Sequence, residues 1–154
     1  MSTRSTYRVI EKRVYEGKLY KTKLVLLYVQ CDGYPEGHPM NTAEWLSNGT
    51  VIDGLSMNQP KLVFNGPGCL AAQLVTKYKN GAGGSYIYPI GHRGKCGEDF
   101  TYDIVIDSDT KTIEFIAYDV TDGWNNKPPR FKKLFTGTPA QYVKWIEDVY
   151  SKQK

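Results

Sequence analysis

The feature that most constrains this chain is the shortness of the links between its strand-like segments. Thr6 to Val14 alternates imperfectly and runs through Tyr15-Glu16-Gly17 into Lys21 to Gln30. Tyr102, Ile104 and Ile106 mark one strand face, Ile113, Phe115 and Ala117 the next, and only Asp107-Ser-Asp-Thr-Lys111 lies between them. A parallel pair needs a crossover of roughly a dozen residues or more, so links this short demand antiparallel hairpins. Leu24-Val-Leu-Leu-Tyr-Val29 is a continuous apolar run and reads as a strand buried on both faces. Gly84 to Pro89 alternates small and aromatic residues as a further strand, and Arg130 to Phe135 supplies a last one.

Helices fall between and after these segments. Asn41 as N-cap with Glu44 three residues on predicts a two-turn helix through Trp45 and Leu46, stopped at Asn48-Gly49. Lys61 to Phe64 is short and apolar. Asn65-Gly-Pro-Gly68 then breaks the pattern before Leu70, Ala71, Leu74, Val75 and Tyr78 recur at helical spacing, ending at Asn80-Gly81. Thr138-Pro-Ala-Gln141 is a capping box with proline at the first helical position. It opens a closing helix from Pro139 to about Ser151 that buries Tyr142, Ile146 and Val149, with Trp145 beside them. The order β-β-α-α-β-β-β-β-α predicts an α+β fold: a mainly antiparallel sheet packed by two to three helices.

At 154 residues, with no internal repeat or linker, residues 1–154 are expected to form a single compact domain. Hydrophobic residues at 40% and charged residues at 23% exclude disorder and coiled coil. No uncharged apolar run approaches a membrane span and the start lacks a signal-peptide core, so a cytoplasmic protein with no membrane partner is expected. Cys31, Cys69 and Cys96 are an odd number without framework spacing, which fits a reducing compartment.

Charge is unevenly placed. Residues 1–24 hold seven cations against Glu11 and Glu16, whereas residues 98–122 hold eight acids against Lys111 alone. Either basic and acidic strands face each other across one sheet, or a basic cleft away from the acidic hairpin attracts a small anion. The cations form no dense stripe and the acidic hairpin would repel phosphate, which disfavours double-stranded nucleic acid.

Four segments could carry chemistry. Asn65, Gly66 and Gly68 place a glycine-rich turn at a helix start, where free N–H groups and the helix dipole favour an anion; as plain structure, the glycines only permit a tight turn. Cys69 in the first helical turn is a candidate thiolate, or a small cysteine packed beside Ala71 and Ala72. The turn bearing Asp32, Tyr34, Glu36 and His38, stiffened by Pro35 and Pro39, suits a binding loop and also ordinary turn chemistry. Twelve tyrosines are many for this length, and Tyr86 and Tyr88 offer faces for stacking a base, with Arg93 and Lys95 to neutralise phosphate. Neither His92 with Cys96 nor Cys31 with His38 has knuckle spacing, so no metal and no cofactor is expected.

Asp32-Gly-Tyr-Pro-Glu-Gly37, after a Met-Ser-Thr-Arg start and a strand, resembles a group of small proteins of bacteriophages and bacterial genomes. Asn65 to Gln73 and Gly83 to Pro89 are similar to a phage-encoded branch of that group. The resemblance implies no catalytic residue. Where relatives carry His-Trp or Gln-Tyr before the Asp-Gly turn, this chain has Gln30-Cys31.

The expectation drawn from these features is a phage-type accessory protein, located in the host cytoplasm, that binds or sequesters a small anionic nucleotide-like ligand. Such a sponge against host defence signalling needs affinity without turnover. The ligand would sit between the Asp32–His38 turn and the Asn65–Cys69 helix start. Two alternatives stand beside it. One is a hydrolase or transferase using Cys69, or using His38 with Asp32 and Glu36 as acid and base. The other is an inhibitor that binds a host protein through a loop such as Trp124-Asn-Asn-Lys-Pro-Pro129. A homo-oligomer is compatible with each.

Overall fold

The computed structural model describes residues 2–121 and 127–153. Asp122 of the acidic segment and Trp124-Asn-Asn126 of the proline-rich loop lie outside the described residues. The chain begins with β1 (Ser5–Tyr15) and β2 (Lys18–Val29). Glu16 (φ 49°) and Gly17 (φ 75°) join them, both in the left-handed region that a twist-matched hairpin turn requires. There follow α1 (His38–Ser47), β3 (Thr50–Ile52), β4 (Val63–Asn65), α2 (Gly66–Tyr78) and β5 (Ser85–Ile87). A 3-10 turn at Ile90–His92 leads to β6 (Phe100–Asp107), β7 (Thr112–Thr121), β8 (Arg130–Gly137) and α3 (Pro139–Asp148), and a second 3-10 turn occupies Tyr150–Gln153.

Six strands form one mixed sheet in the order β5-β2-β1-β6-β7-β8. Every neighbouring pair is antiparallel except β1 with β6, which run parallel from Ser5↔Phe100 to Lys12↔Asp107. The fold is α+β, as expected. α1 and α2 lie in the long excursion that a parallel β1–β6 pair needs. One sheet face carries Tyr7, Val9, Leu27, Tyr102, Ile104, Ile106 and Phe115, packed against Leu46 of α1, Leu70 and Leu74 of α2, and Tyr142 and Ile146 of α3. Each fully buried aliphatic or aromatic side chain here contributes about 1.5–3 kcal/mol.

Several elements differ from the sequence reading for identifiable reasons. β4 forms where the short apolar Lys61–Phe64 segment leads into the glycine-rich turn, but its parallel partner β3 has no sequence signal, because a strand of three residues is too short to display a period. Gly49 does more than end a helix: a Cβ there would lie 2.2 Å from the Phe64 ring. α1 starts at His38, not after Asn41, and is ten residues long. Its start is set by the preceding turn, where the Gly37 and His38 amides donate to Tyr34 and Asp32 carbonyls, and by Pro39 in the first turn. In β2, burial on both faces holds only from Leu26 to Val29. A bulge puts Val9 opposite Val25 but Ile10 opposite Lys23, leaving Leu24 unmatched and exposed. α3 has the anticipated capping box, Gln141 N–H to Thr138 Oγ1 at 3.1 Å and Thr138 N–H to Gln141 Oε1 at 2.8 Å. It stops at Asp148, so Val149 leaves the helical stripe and is exposed instead of buried. Among the described residues no helix is long and apolar enough to cross a membrane.

The charge map is resolved by sheet order. Parallel pairing of β1 with β6 sets Arg8 beside Asp103 and Lys12 beside Asp107, and Lys132 on β8 faces Asp119 on β7. Arg8 grips Asp103 with two hydrogen bonds, from Nε at 2.8 Å and from Nη2 at 2.7 Å. Basic and acidic strands thus lie against each other across one sheet.

Candidate functional site

The Asp32–His38 turn is fastened into the core. Asp32 takes a left-handed φ of 59°, and Gly33 passes so close to β1 that a Cβ would lie 2.5 Å from the Ser5 Cβ. The Gly33 amide donates to the Thr3 carbonyl at 3.0 Å. Tyr102 Oη donates to the Gly33 carbonyl at 2.8 Å, and Tyr142 Oη to the Pro35 carbonyl at 2.7 Å. Two buried phenols thereby satisfy backbone acceptors that the core would otherwise strand.

His38, the first residue of α1, centres a network of hydroxyls. Its Nδ1 lies 2.7 Å from Tyr7 Oη and 3.1 Å from Tyr78 Oη, and its Nε2 lies 3.3 Å from Ser5 Oγ. The Thr42 hydroxyl closes the ring through a short contact with Tyr78. Burial pushes the His38 pKa down to about 4, so the ring is neutral near pH 7 and carries one N–H. Burial raises the Tyr7, Tyr78, Tyr102 and Tyr142 phenols, which therefore stay protonated. The His38 ring nitrogens face Ser5, Tyr7 and Tyr78, not the Asp32 and Glu36 carboxylates that an acid–base pairing would use. Asp32 is exposed, while Tyr34 and Glu36 are half-buried.

Asn65, Gly66, Gly68 and Cys69 lie elsewhere. The start of α2 opens onto a cleft of about 410 Å³ lined by Arg13 and Tyr15 of β1, Asp53, Gly66, Asp109 and Lys111 among others. A Cβ on Gly66 or Gly68 would meet nothing within 4 Å. Asn65 does not cap the helix; its Oδ1 accepts from the Gly54 amide at 2.8 Å. Cys69 is half-buried and its thiol donates to Gln73 Oε1 at 3.1 Å.

The two glycine-bearing bends therefore do not share a hollow, which corrects the expected ligand position. Tyr78, at the far end of α2, touches His38, while Gly66 sits at the near end; thirteen residues at helical rise separate them by about 18 Å. β1 gives the same result, since its Tyr7 meets His38 and its Tyr15 lines the Gly66 cleft.

Tyr86, Tyr88, Arg93 and Lys95 belong to a third place, the β5 edge and the loop after it. Tyr86 and Tyr88 are 45% and 36% exposed. Both rings lean on Tyr28, with centroids at 6.2 and 5.7 Å, and Tyr88 lies 6.4 Å from the exposed His92 ring. Lys79 Nζ lies 5.3 Å from the Tyr86 ring centre. Arg4 rests against Gly97 and its charge reaches Tyr28, where it opposes the upward pull of burial on that phenol. Lys95 is exposed.

Arg93 is not available as its neighbours are. Its guanidinium stacks 4.0 Å from the Phe131 ring centre and pairs with Asp103 at 3.7 Å, while its buried Nε has no hydrogen-bond partner among the described residues. Glu98 pins the same loop to β1, accepting from Thr6 Oγ1 at 2.9 Å and from the Gly94 and Cys96 amides at 3.1 and 3.0 Å. Burial, reinforced by Glu98, pushes the Cys96 thiol up to about 12.

Ser5, Tyr7, Thr42, Tyr78, Tyr102 and Tyr142 were not anticipated as partners of the Asp32–His38 turn. Their one sequence signal is that tyrosines on predicted core faces need somewhere to place a hydroxyl. Comparison of the chain with protein-family models, curated proteins and solved structures found no match.

Proposed function

We propose that this chain is a phage-type accessory protein that binds, and so sequesters, a small anionic nucleotide-like ligand without turning it over. The observation that carries the reading is the exposed pair Tyr86 and Tyr88, backed by Tyr28, with Lys79 Nζ 5.3 Å from the Tyr86 ring centre and the Arg4 charge acting on Tyr28. A flat phenol supplies a stacking face and a hydroxyl for a ribose, and nearby cations offset phosphate charge. The reading draws its phage context from the Asp32–Gly37 resemblance. It moves the ligand from between the two bends to the β5 edge.

Calorimetric titration with ADP-ribose and with a cyclic dinucleotide tests it, alongside native mass spectrometry of protein purified from defence-expressing cells. Saturable heat, a retained nucleotide mass and unchanged ligand on release are expected. Tyr86→Ala should weaken binding at least about fivefold, the low end for base–aromatic stacking. No heat from either probe together with a clean apo spectrum overturns the reading, and a converted ligand replaces it with an enzyme.

A further inference from the structure

The hairpin formed by β1 and β2 outruns the sheet that holds it. β6 supports β1 only as far as Lys12, and β5 supports β2 only over Leu27–Val29. Arg13 to Leu24 is exposed throughout, a two-stranded ribbon whose β2 edge has no strand partner among the described residues. Residues 11–24 carry five cations, Lys12, Arg13, Lys18, Lys21 and Lys23, against Glu11 and Glu16. Glu11 is engaged by the Ser108 hydroxyl at 2.7 Å. Among the described residues no carboxylate lies within ion-pair distance of Arg13, Lys18, Lys21 or Lys23.

Register sorts these side chains onto two faces. On one, Lys12 stands directly opposite Lys21 and Lys23 follows on the same strand, with Asp107 beside Lys12 and Glu114 lining the same cavity as Lys12, partly offsetting them. Like charges directly opposed across a strand pair destabilise the pairing. On the other face, Arg13 stands opposite Tyr20 and Tyr15 opposite Lys18, a checkerboard of cations and phenols. Tyr15 and Tyr20 are 58% and 41% exposed. They occupy diagonal positions, about 7–8 Å apart in an antiparallel pair, a distance comparable to one nucleotide of an extended strand.

We infer that the face of this ribbon bearing Arg13, Tyr15, Lys18 and Tyr20 binds single-stranded nucleic acid, with Arg13 and Lys18 along the phosphates and Tyr15 and Tyr20 stacking on unpaired bases. Alternation of cations with exposed aromatic faces is the chemistry of sequence-tolerant single-strand binding. A duplex would leave the tyrosines without a partner, and an acidic peptide or a lipid surface makes no use of paired stacking faces. The site is separate from the β5 edge, so failure at one leaves the other standing.

Fluorescence anisotropy with a labelled oligothymidylate, across a salt series, tests the inference on the whole chain. Binding should weaken linearly in log–log salt dependence; Arg13→Gln with Lys18→Gln should lower the slope by about 1.4, at about 0.7 per lost phosphate contact, whereas Lys21→Gln with Lys23→Gln, on the opposite face, should leave it unchanged. Tyr15→Ala and Tyr20→Ala should each cost at least about fivefold in affinity with the slope unchanged. All six positions are exposed, and an unchanged circular-dichroism melt confirms folding. The inference is overturned if the oligonucleotide does not bind at low salt or if the tyrosine variants bind like the parent. It is equally overturned if duplex DNA, polyglutamate or phosphatidylserine vesicles compete as well as the single strand does.

Discussion

The two glycine-bearing bends look alike as sequence and behave oppositely as structure. In Asp32-Gly-Tyr-Pro-Glu-Gly37 the missing side chains are filled by neighbours: Ser5 stands 2.5 Å from a Cβ on Gly33, and the Asp32 carbonyl 2.2 Å from one on Gly37. In Asn65-Gly-Pro-Gly68 the same substitution meets open space. The first bend is a keystone between β1, α1 and the buried phenols of β6 and α3; the second is the lip of a cleft. Glycine content therefore says nothing by itself about whether a bend is packed or open. The deciding quantity is what stands where the Cβ would be.

This contrast can be broken by experiment. The largest expected effect is on acid stability. Unfolded His38 titrates near 6.5 and the folded residue near 4, so below 6.5 the unfolded chain takes up a proton that the folded chain refuses. The stabilisation is complete above pH 6.5 and is lost as pH falls to 4, roughly 3 kcal/mol in all. Urea titrations at several pH values should show that slope, and His38→Gln should flatten it; an equal slope in both proteins would place the acid sensitivity elsewhere.

Gly33→Ala comes next, with a loss of about 2 kcal/mol from forcing a methyl onto Ser5, read as a lower urea midpoint. A midpoint unchanged by this substitution would mean that the turn is not packed as described. Tyr142→Phe, which leaves the buried Pro35 carbonyl without its donor, should cost about 1 kcal/mol in the same assay.

The smallest effects belong to the open bend. Gly68→Ala has room and no left-handed φ, so it should stabilise by about 0.5–1 kcal/mol through helix propensity. Gly66→Ala, at φ 82°, should destabilise by about 1 kcal/mol from backbone strain alone. If both raised the thermal midpoint, the left-handed geometry at Gly66 would be wrong.

The edges of what could be read in advance follow the same logic. The Thr138 capping box, the Glu16-Gly17 hairpin and the buried alternation of Tyr102, Ile104 and Ile106 were legible, and each forms. The start of α1 was misplaced because Asn41 and Glu44 make a plausible local signal that an earlier start, set by carbonyls of the Asp32 turn, overrides. Tyr86 and Tyr88 were legible as strand aromatics with stacking faces; their exposure is a finding of the structure. Arg93 was legible as a cation but not as one already held by Asp103 and Phe131. The lysine pairing across the hairpin was hidden, since Lys12 and Lys21 become neighbours only once the register is known.

Alternation, caps and tight turns act over a few residues, so the amino-acid order alone determined the α+β class, most of the strands and the closing helix. Sheet order and helix direction bring together residues far apart in the chain, and no local pattern encodes them. The tertiary structure alone therefore decided that β1 runs parallel to β6, that Ser5, Tyr7 and Tyr78 surround His38, and that α2 holds the two glycine bends a full helix length apart.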